Sequence, residues 1–250
     1  MVALDHVIAV RNRKTIYRDG DKCIKLFNEG YPKADILNEA CNQARVEELG
    51  LGVPKVIEVA TIEGKWAIVS EFIEGQTLDE LMKANPSEMN HYLELFVDIQ
   101  KDVLSRKCSR LNELKHKMTR KISQADLDAT MRYDLHTRLH GLTQEDSVCH
   151  GDFNPTNIII TDEGAPYILD WSHVTQGHRA GDAARTYLLF QLAKQPEIAN
   201  RYLDLFCKKT DTARQIVLKW LPIVAVSQSV KGHEEEREFL LSWTDVVEYV

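Results

Sequence analysis

The 250-residue chain has no apolar run long enough to cross a bilayer. Among its longest, Leu221 to Val226 falls far short of the 20 or so residues a spanning helix requires. Asp5 and His6 interrupt the apolar residues near the start, so neither a membrane span nor a signal peptide is expected. The five cysteines (Cys23, Cys41, Cys108, Cys149 and Cys207) are scattered, odd in number and without CxxC spacing. That excludes a disulfide framework and a thiolate metal site, and it suits a reducing cytoplasm. Positive charge is not in excess either: 31 Lys and Arg stand against 38 Asp and Glu, a net charge of −7. Long contact with nucleic acid or anionic lipid needs clustered positive charge, so those partners are not expected, whereas a cationic small substrate is compatible. Repeats and low-complexity tracts are absent too, and nothing specifies an oligomeric state. What remains, 44% hydrophobic and 28% charged residues, is ordinary for a core-forming globular chain of one large or two modest domains.

The chain changes character near residue 75. Before it, HVIAV, TIYRD and KCIKLF are short apolar or β-branched runs, with a hairpin signal at Asp19-Gly20-Asp21 between the last two. From Pro32 to Leu49, Ile36, Leu37, Ala40, Cys41, Ala44 and Leu49 follow helical spacing, and Gly50 and Gly52 close the segment. VPKVIEVATI and KWAIVSEFI then read as strands on either side of Glu63-Gly64. After Gly75 come amphipathic stretches near 78–84, 87–106, 108–122 and 125–141, and helical patterning returns from Asp182 onwards. The reading is α+β, with a small sheet-plus-helix lobe over 1–75 and a mainly helical lobe over 76–250.

The helices are interrupted by HGDFNPTNIIITDEGAPYILDW, His150 to Trp171. Asn157 to Ile160 and Pro166 to Leu169 are two strand candidates joined by Thr161 to Ala165, where Asp162 and Gly164 supply turn chemistry. Antiparallel pairing about Glu163 sets position 157 opposite 169, which brings Asn157 and Asp170 to the open end of the hairpin. Asp152 precedes them on a loop in which Gly151 permits unusual backbone angles and Pro155 keeps Asn154 extended. Carboxylate and amide oxygens are hard ligands, suited to Mg²⁺ and poorly to zinc. If phosphate is the ligand, a cation is required, since each uncompensated charge pair at about 4 Å costs ~1 kcal/mol in water and ~4 at near-surface dielectric.

His150-Gly151-Asp152 followed by Asn157 resembles the catalytic loop H-R-D-x-x-x-x-N of protein kinases, with Gly for Arg, and Asp170-Trp171-Ser172 stands in the place of D-F-G. The H-G-D variant with a hydrophobic-Asp-Trp resembles the aminoglycoside phosphotransferase and choline kinase superfamily. That resemblance implies a bilobal protein-kinase-like fold. It makes Asp152 the base that accepts the substrate hydroxyl proton, with Asn157 and Asp170 holding magnesium. ATP is the implied co-substrate, with GTP left open.

The resemblance also calls for a strand lysine paired with a helical glutamate. Lys25 in Cys23-Ile24-Lys25-Leu26-Phe27 alternates onto the face of Cys23 and Phe27, and Glu39 on the following helix is its expected partner, with Glu47 or Glu48 as substitutes. The strand end Ser70 to Gly75 takes the place of the linker that meets the nucleobase, so Glu71 and Ile73 are carried over as nucleotide-binding positions. The glycine-rich phosphate loop has no counterpart: Arg11-Asn12-Arg13-Lys14 contains no glycine. A solvated turn is the expected state of its charges, although they could compensate for the missing backbone cradle.

Other residues are less telling. His136 and His140 lack the glutamate of H-E-x-x-H and are expected to be solvated or packed. Cys149 beside His150 is not expected to be a nucleophile, because neighbours on a strand point apart. Asp182 is expected to cap a helix over Ala183 to Leu192, although the resemblance also implies an aspartate here that supports the catalytic loop. His173, His178 and Arg179 follow Asp170 and could reach phosphate or substrate. The acidic residues Glu234, Glu235, Glu236, Glu238, Asp245 and Glu248 are expected to face water, with an acceptor's ammonium groups as the other use. The expected activity is Mg²⁺- and ATP-dependent phosphoryl transfer to a small-molecule hydroxyl, with an aminoglycoside-like acceptor favoured over an amino-alcohol or sugar. A non-catalytic nucleotide-binding module is the remaining alternative.

Overall fold

The computed structural model describes residues 4–11, 13–230 and 234–245. Two compact units emerge, Met1–Ser87 with Pro155–His173, and Glu88–Asn154 with Val174–Val250.

The first unit opens with strands β1 (His6–Arg11), β2 (Lys14–Asp19) and β3 (Lys22–Phe27), then helix α1 (Lys33–Glu47), and strands β4 (Val56–Ile62) and β5 (Lys65–Glu71). They form one antiparallel sheet in the order β1-β2-β3-β5-β4. Period-two alternation divides β3 and β5 between the sheet's two faces: Ile24, Leu26, Ala67 and Val69 pack on one, and Phe27 and Ile68 pack with Ile36 and Ala40 of α1 on the other. Lys25 shares the α1 face. The same helical stripe that buries Ile36 and Ala40 carries Glu39 and Gln43 inward. β6 (Gln76–Thr77) leads into α2 (Leu78–Ala84), whose first turn is closed by a capping box between Thr77 and Glu80.

The second unit begins with α3 (Met89–Ser105), α4 (Leu114–Gln124), α5 (Ala129–Gly141) and β7 (Ser147–Cys149). The chain then enters the first unit for β8 (Ile158–Ile160) and β9 (Pro166–Ile168), and returns for β10 (Thr175–Gly177), which pairs with β7. Helices α6 (Arg179–Leu192), α7 (Pro196–Thr210), α8 (Arg214–Ser229) and α9 (Glu234–Ser242) complete it. A ring cluster of Phe96, Phe153, Phe190 and Tyr202 fills its interior.

The expected hairpin forms in the expected register: Ile158 pairs with Ile168, Ile160 with Pro166, and Leu169 N–H donates to Asn157 O at 2.8 Å. It belongs to the compact unit of the N-terminal sheet, where the sequence reading assigned it to the helical part. Two short strands cannot bury themselves, and these borrow partners. β8 pairs with β6, and Ile168 N–H donates to Gly52 O at 2.8 Å. Only glycine fits at position 52, since a Cβ there would lie 2.1 Å from Pro166 O.

Candidate active site

In the first unit, four charged side chains converge. Lys25, on the α1 face of β3, donates to Glu39, whose side chain is 4% exposed, and its ammonium is 3.7 Å from Asp170 Oδ1. Lys14, at the start of β2, donates to Asp170 Oδ2 at 3.1 Å and lies 3.9 Å from Glu39 Oε1. Two cations thus interleave with two carboxylates, which is what permits charges to persist under burial. Burial alone would lower the Lys25 pKa; the charges of Asp170 and Glu39 override it and raise it. Burial would raise the Asp170 pKa, but Lys25, Lys14 and a hydrogen bond from Ser172 pull it far below the usual carboxylate range. Both groups stay ionised across the physiological range.

Asp170 has a backbone φ of 60°, a left-handed conformation costly for a residue with a Cβ. It is flanked by the hairpin on one side and by Trp171 on the other, whose indole is fully buried and donates through Nε1–H to Ile168 O at 2.9 Å. Asp170 Oδ1 is buried and accepts no hydrogen bond. A carboxylate with a buried, unbonded oxygen, one position from the register partner of Asn157, offers hard oxygen donors that fit Mg²⁺. No group of three or more His, Cys, Asp or Glu able to hold a metal occurs among the described residues.

In the second unit, the loop His150–Asn154 is gripped by one face of α6. Asp182 Oδ1 accepts from Gly151 N–H at 2.7 Å, Arg185 donates to Asp152 Oδ1 at 3.3 Å and to Gly151 O at 3.4 Å, and Thr186 Oγ1 donates to Phe153 O at 2.9 Å. Positions 182, 185 and 186 are one turn apart and so share that face. Asp182 is held in turn by Gln100 Nε2 at 3.0 Å, and Gln100 Oε1 accepts from Tyr202 at 2.7 Å. Burial raises the Asp182 pKa, against the Gly151 N–H and His150. Gly151 sits at φ 79°, the turn that lets its N–H face α6, and His150, fully buried, accepts from Asp152 N–H through Nδ1 at 3.2 Å. Asp152 is thereby presented on a loop whose backbone is fixed on both sides.

The model of the phosphotransferase enzyme family matches residues 8–216, most of the chain. The chain belongs to that family. No curated protein matches it. Among solved structures, a thermostable mutant of aminoglycoside phosphotransferase APH(4)-Ia in ternary complex with ADP and hygromycin B superposes with a TM-score of 0.72 at 12% identity, covering 96% of this chain and 91% of that one. A choline/ethanolamine kinase family protein from Mesorhizobium loti gives 0.63 at 14%, covering 99% and 88%. LicA in complex with AMP gives 0.65 at 15%, covering 97% and 91%. At these identities the likeness establishes the protein-kinase-like α+β fold.

Several expectations are corrected in this phosphotransferase. Lys14 is not part of a solvated turn: Arg11 and Arg13 are exposed, but Lys14 is drawn in by Asp170. Asp182 is not an N-cap. The helix begins at Arg179 and His178 caps it, accepting from Ala180 N–H through Nδ1 at 3.1 Å, which leaves Asp182 to bind Gly151. His178 and Arg179 are committed to Glu145, at 3.4 and 3.0 Å. Glu47, the alternative partner for Lys25, instead accepts from Val56 N–H at 2.7 Å. Glu71 ends β5, where its carboxylate accepts from Lys55 N–H at 3.1 Å, and Ile73 follows the strand; both are partly buried. The Cys149 thiol is buried and its pKa pushed well up, which removes thiolate character. On α9, Glu234, Glu235 and Glu238 are exposed, Glu236 is half-buried, and Glu248 lies outside the described residues. Arg185 and Thr186 were not singled out from the sequence; their positions one turn beyond Asp182 were the available signal.

Proposed function

We propose that this phosphotransferase moves the γ-phosphoryl group of ATP to a hydroxyl of a small molecule, in a Mg²⁺-dependent reaction. The observation that carries the reading is the ionised, left-handed Asp170 beside the Lys25–Glu39 pair, a costly arrangement that serves a ligand better than it serves stability. Lys25, oriented by Glu39, binds nucleotide phosphates. Lys14 supplies the positive charge that the glycine-free turn cannot provide through backbone amides. Glu71 and Ile73 border the nucleobase. Asp170 and Asn157 hold Mg²⁺, which when bound neutralises phosphate charge. Asp152 accepts the acceptor's hydroxyl proton while the acceptor oxygen bonds to the γ-phosphorus and the bond to the departing ADP breaks. Positioning and charge stabilisation supply most of the rate.

A cationic, aminoglycoside-like acceptor is favoured by the net charge of −7 and the exposed acidic residues of α9. An amino-alcohol is the second reading, supported by the likeness to a choline/ethanolamine kinase family protein. The cysteine pattern supports a cytoplasmic setting, and no described helix is long and apolar enough to cross a membrane. The test is ADP release from Mg²⁺-ATP, and in parallel from GTP, across a panel of aminoglycosides, amino-alcohols and sugars, with Asp152→Ala as control. Acceptor-stimulated turnover lost in the variant supports the reading. Nucleotide binding without turnover on any acceptor replaces it with a non-catalytic module.

A further inference from the structure

Arg185 is a guanidinium with 9% of its surface exposed, buried under the loop that carries Asp152. Burial lowers its pKa, and the Asp152 charge opposes that shift. Taking a guanidinium out of water costs several kcal/mol; the Asp152 carboxylate at 3.3 Å supplies most of the offset, with smaller contributions from the charges of Glu236 and Asp182. Its Nη1 is buried with no hydrogen bond. Replacing a buried ion pair as a whole by apolar side chains of similar volume is often neutral or stabilising, so the pair is a weak source of stability and the arginine calls for another reason.

Nor is Arg185 needed to hold the loop. The backbone on one side of Asp152 is tied by Asp182 at Gly151 N–H, 2.7 Å away, and on the other by Thr186 at Phe153 O, 2.9 Å away. Phe153 is also fully buried against Phe96, with ring centroids 4.8 Å apart. What Arg185 adds is a grip on the Asp152 side chain. It donates through Nη2 to Oδ1, while Nε–H donates to Gly151 O at 3.4 Å and so fixes the plane of the guanidinium.

We infer that Arg185 is a positioning residue, which holds the Asp152 carboxylate in the one orientation from which it takes the acceptor's hydroxyl proton. The inference rests on the assignment of Asp152 as base. Arg185 binds neither nucleotide nor acceptor in this role. Its loss is therefore felt in kcat, because a small misplacement of a reacting group costs up to about 100-fold in rate while ground-state binding persists.

The experiment compares full-length wild type, R185M, R185K and D152A, using the acceptor that gives most turnover in the panel above. Steady-state kinetics provide kcat and acceptor KM, and calorimetry provides ADP affinity with Mg²⁺. R185M is expected to lose on the order of 100-fold in kcat, with KM and ADP affinity within about threefold of wild type. R185K is expected to recover at least about tenfold of that loss, because an ammonium can still reach Oδ1. Should R185M fail to fold, R185Q takes its place with the same expected loss. Wild-type kcat in R185M, with D152A inactive, overturns the inference and leaves the assignment of Asp152 standing. Equal loss in R185K and R185M, or loss of ADP affinity together with kcat, makes Arg185 a structural residue and overturns it as well. Absence of wild-type turnover on every acceptor removes the assignment, and the inference with it.

Discussion

The Lys14 ammonium donates to Asp170 Oδ2 at 3.1 Å across 156 residues of chain, in a turn that has no glycine with which to cradle phosphate. Replacing it with Met should weaken ADP binding in the presence of Mg²⁺ by about tenfold, equivalent to ~1.4 kcal/mol. Isothermal calorimetry on Lys14→Met measures this directly. An unchanged dissociation constant would remove Lys14 from the nucleotide site.

Glu39→Gln leaves the Lys25 ammonium buried with Asp170 as its remaining anion. Breaking a buried pair by removing one partner costs about 3–5 kcal/mol, and the residual attraction to Asp170 should hold the loss near ~2 kcal/mol. Urea denaturation followed by circular dichroism reports it. A midpoint equal to that of wild type would show that Lys25 does not depend on Glu39.

Asp152→Asn keeps the shape of the loop and removes the proton acceptor. Turnover should fall about 10²- to 10⁴-fold, the usual contribution of a general base. ADP affinity should stay within about twofold, because the residues assigned to the nucleotide are elsewhere in the chain. Comparable loss of both would assign Asp152 to binding.

Chelation of Mg²⁺ should stop turnover, and a binding readout isolates the cause. In the wild type, ADP should bind more tightly with Mg²⁺ than with EDTA. In Asp170→Asn that difference should collapse to less than about twofold, since the remaining amide oxygens carry no charge to hold the cation. A full Mg²⁺ effect in the variant would place the metal on other residues.

His178 caps α6 with an unprotonated Nδ1 and faces Glu145, with Arg179 and Lys115 as the nearby cations. Burial lowers its pKa from the ordinary 6.5, ahead of the opposing charge of Glu145. A depressed folded-state value means that its contribution to stability is complete above the unfolded value and is lost as pH falls through the folded one. Between pH 7.5 and 5, wild type should therefore lose more stability than His178→Asn, which can still cap the helix but does not titrate. Parallel urea-melt profiles for the two proteins over that range would contradict this.

Much of the candidate site was legible because its spacing is local. A turn at Glu163 sets the hairpin register, and that register brings Asn157 beside Leu169 and Asp170. Strand alternation turned Lys25 towards the helix, and helical period carried Glu39 inward with Ile36 and Ala40. The start of α6 was misread, since both His178 and Asp182 can cap and sequence offers no ranking between them. The company kept by Lys14 was not legible either: a lysine in a polar turn is solvated unless something distant draws it in.

The chain's own pattern determined the strands, the α1 face, the hairpin and the H-G-D spacing, because each depends on residues within a turn or a strand of one another. Tertiary structure alone decided which charges would meet. Lys14 and Asp170 are 156 positions apart, and Arg185 and Asp152 are 33 apart. Pairing at such distances follows from how sheets and helices pack, and the left-handed backbone at Asp170 sits between the closed hairpin and the buried Trp171, where tertiary packing can hold it.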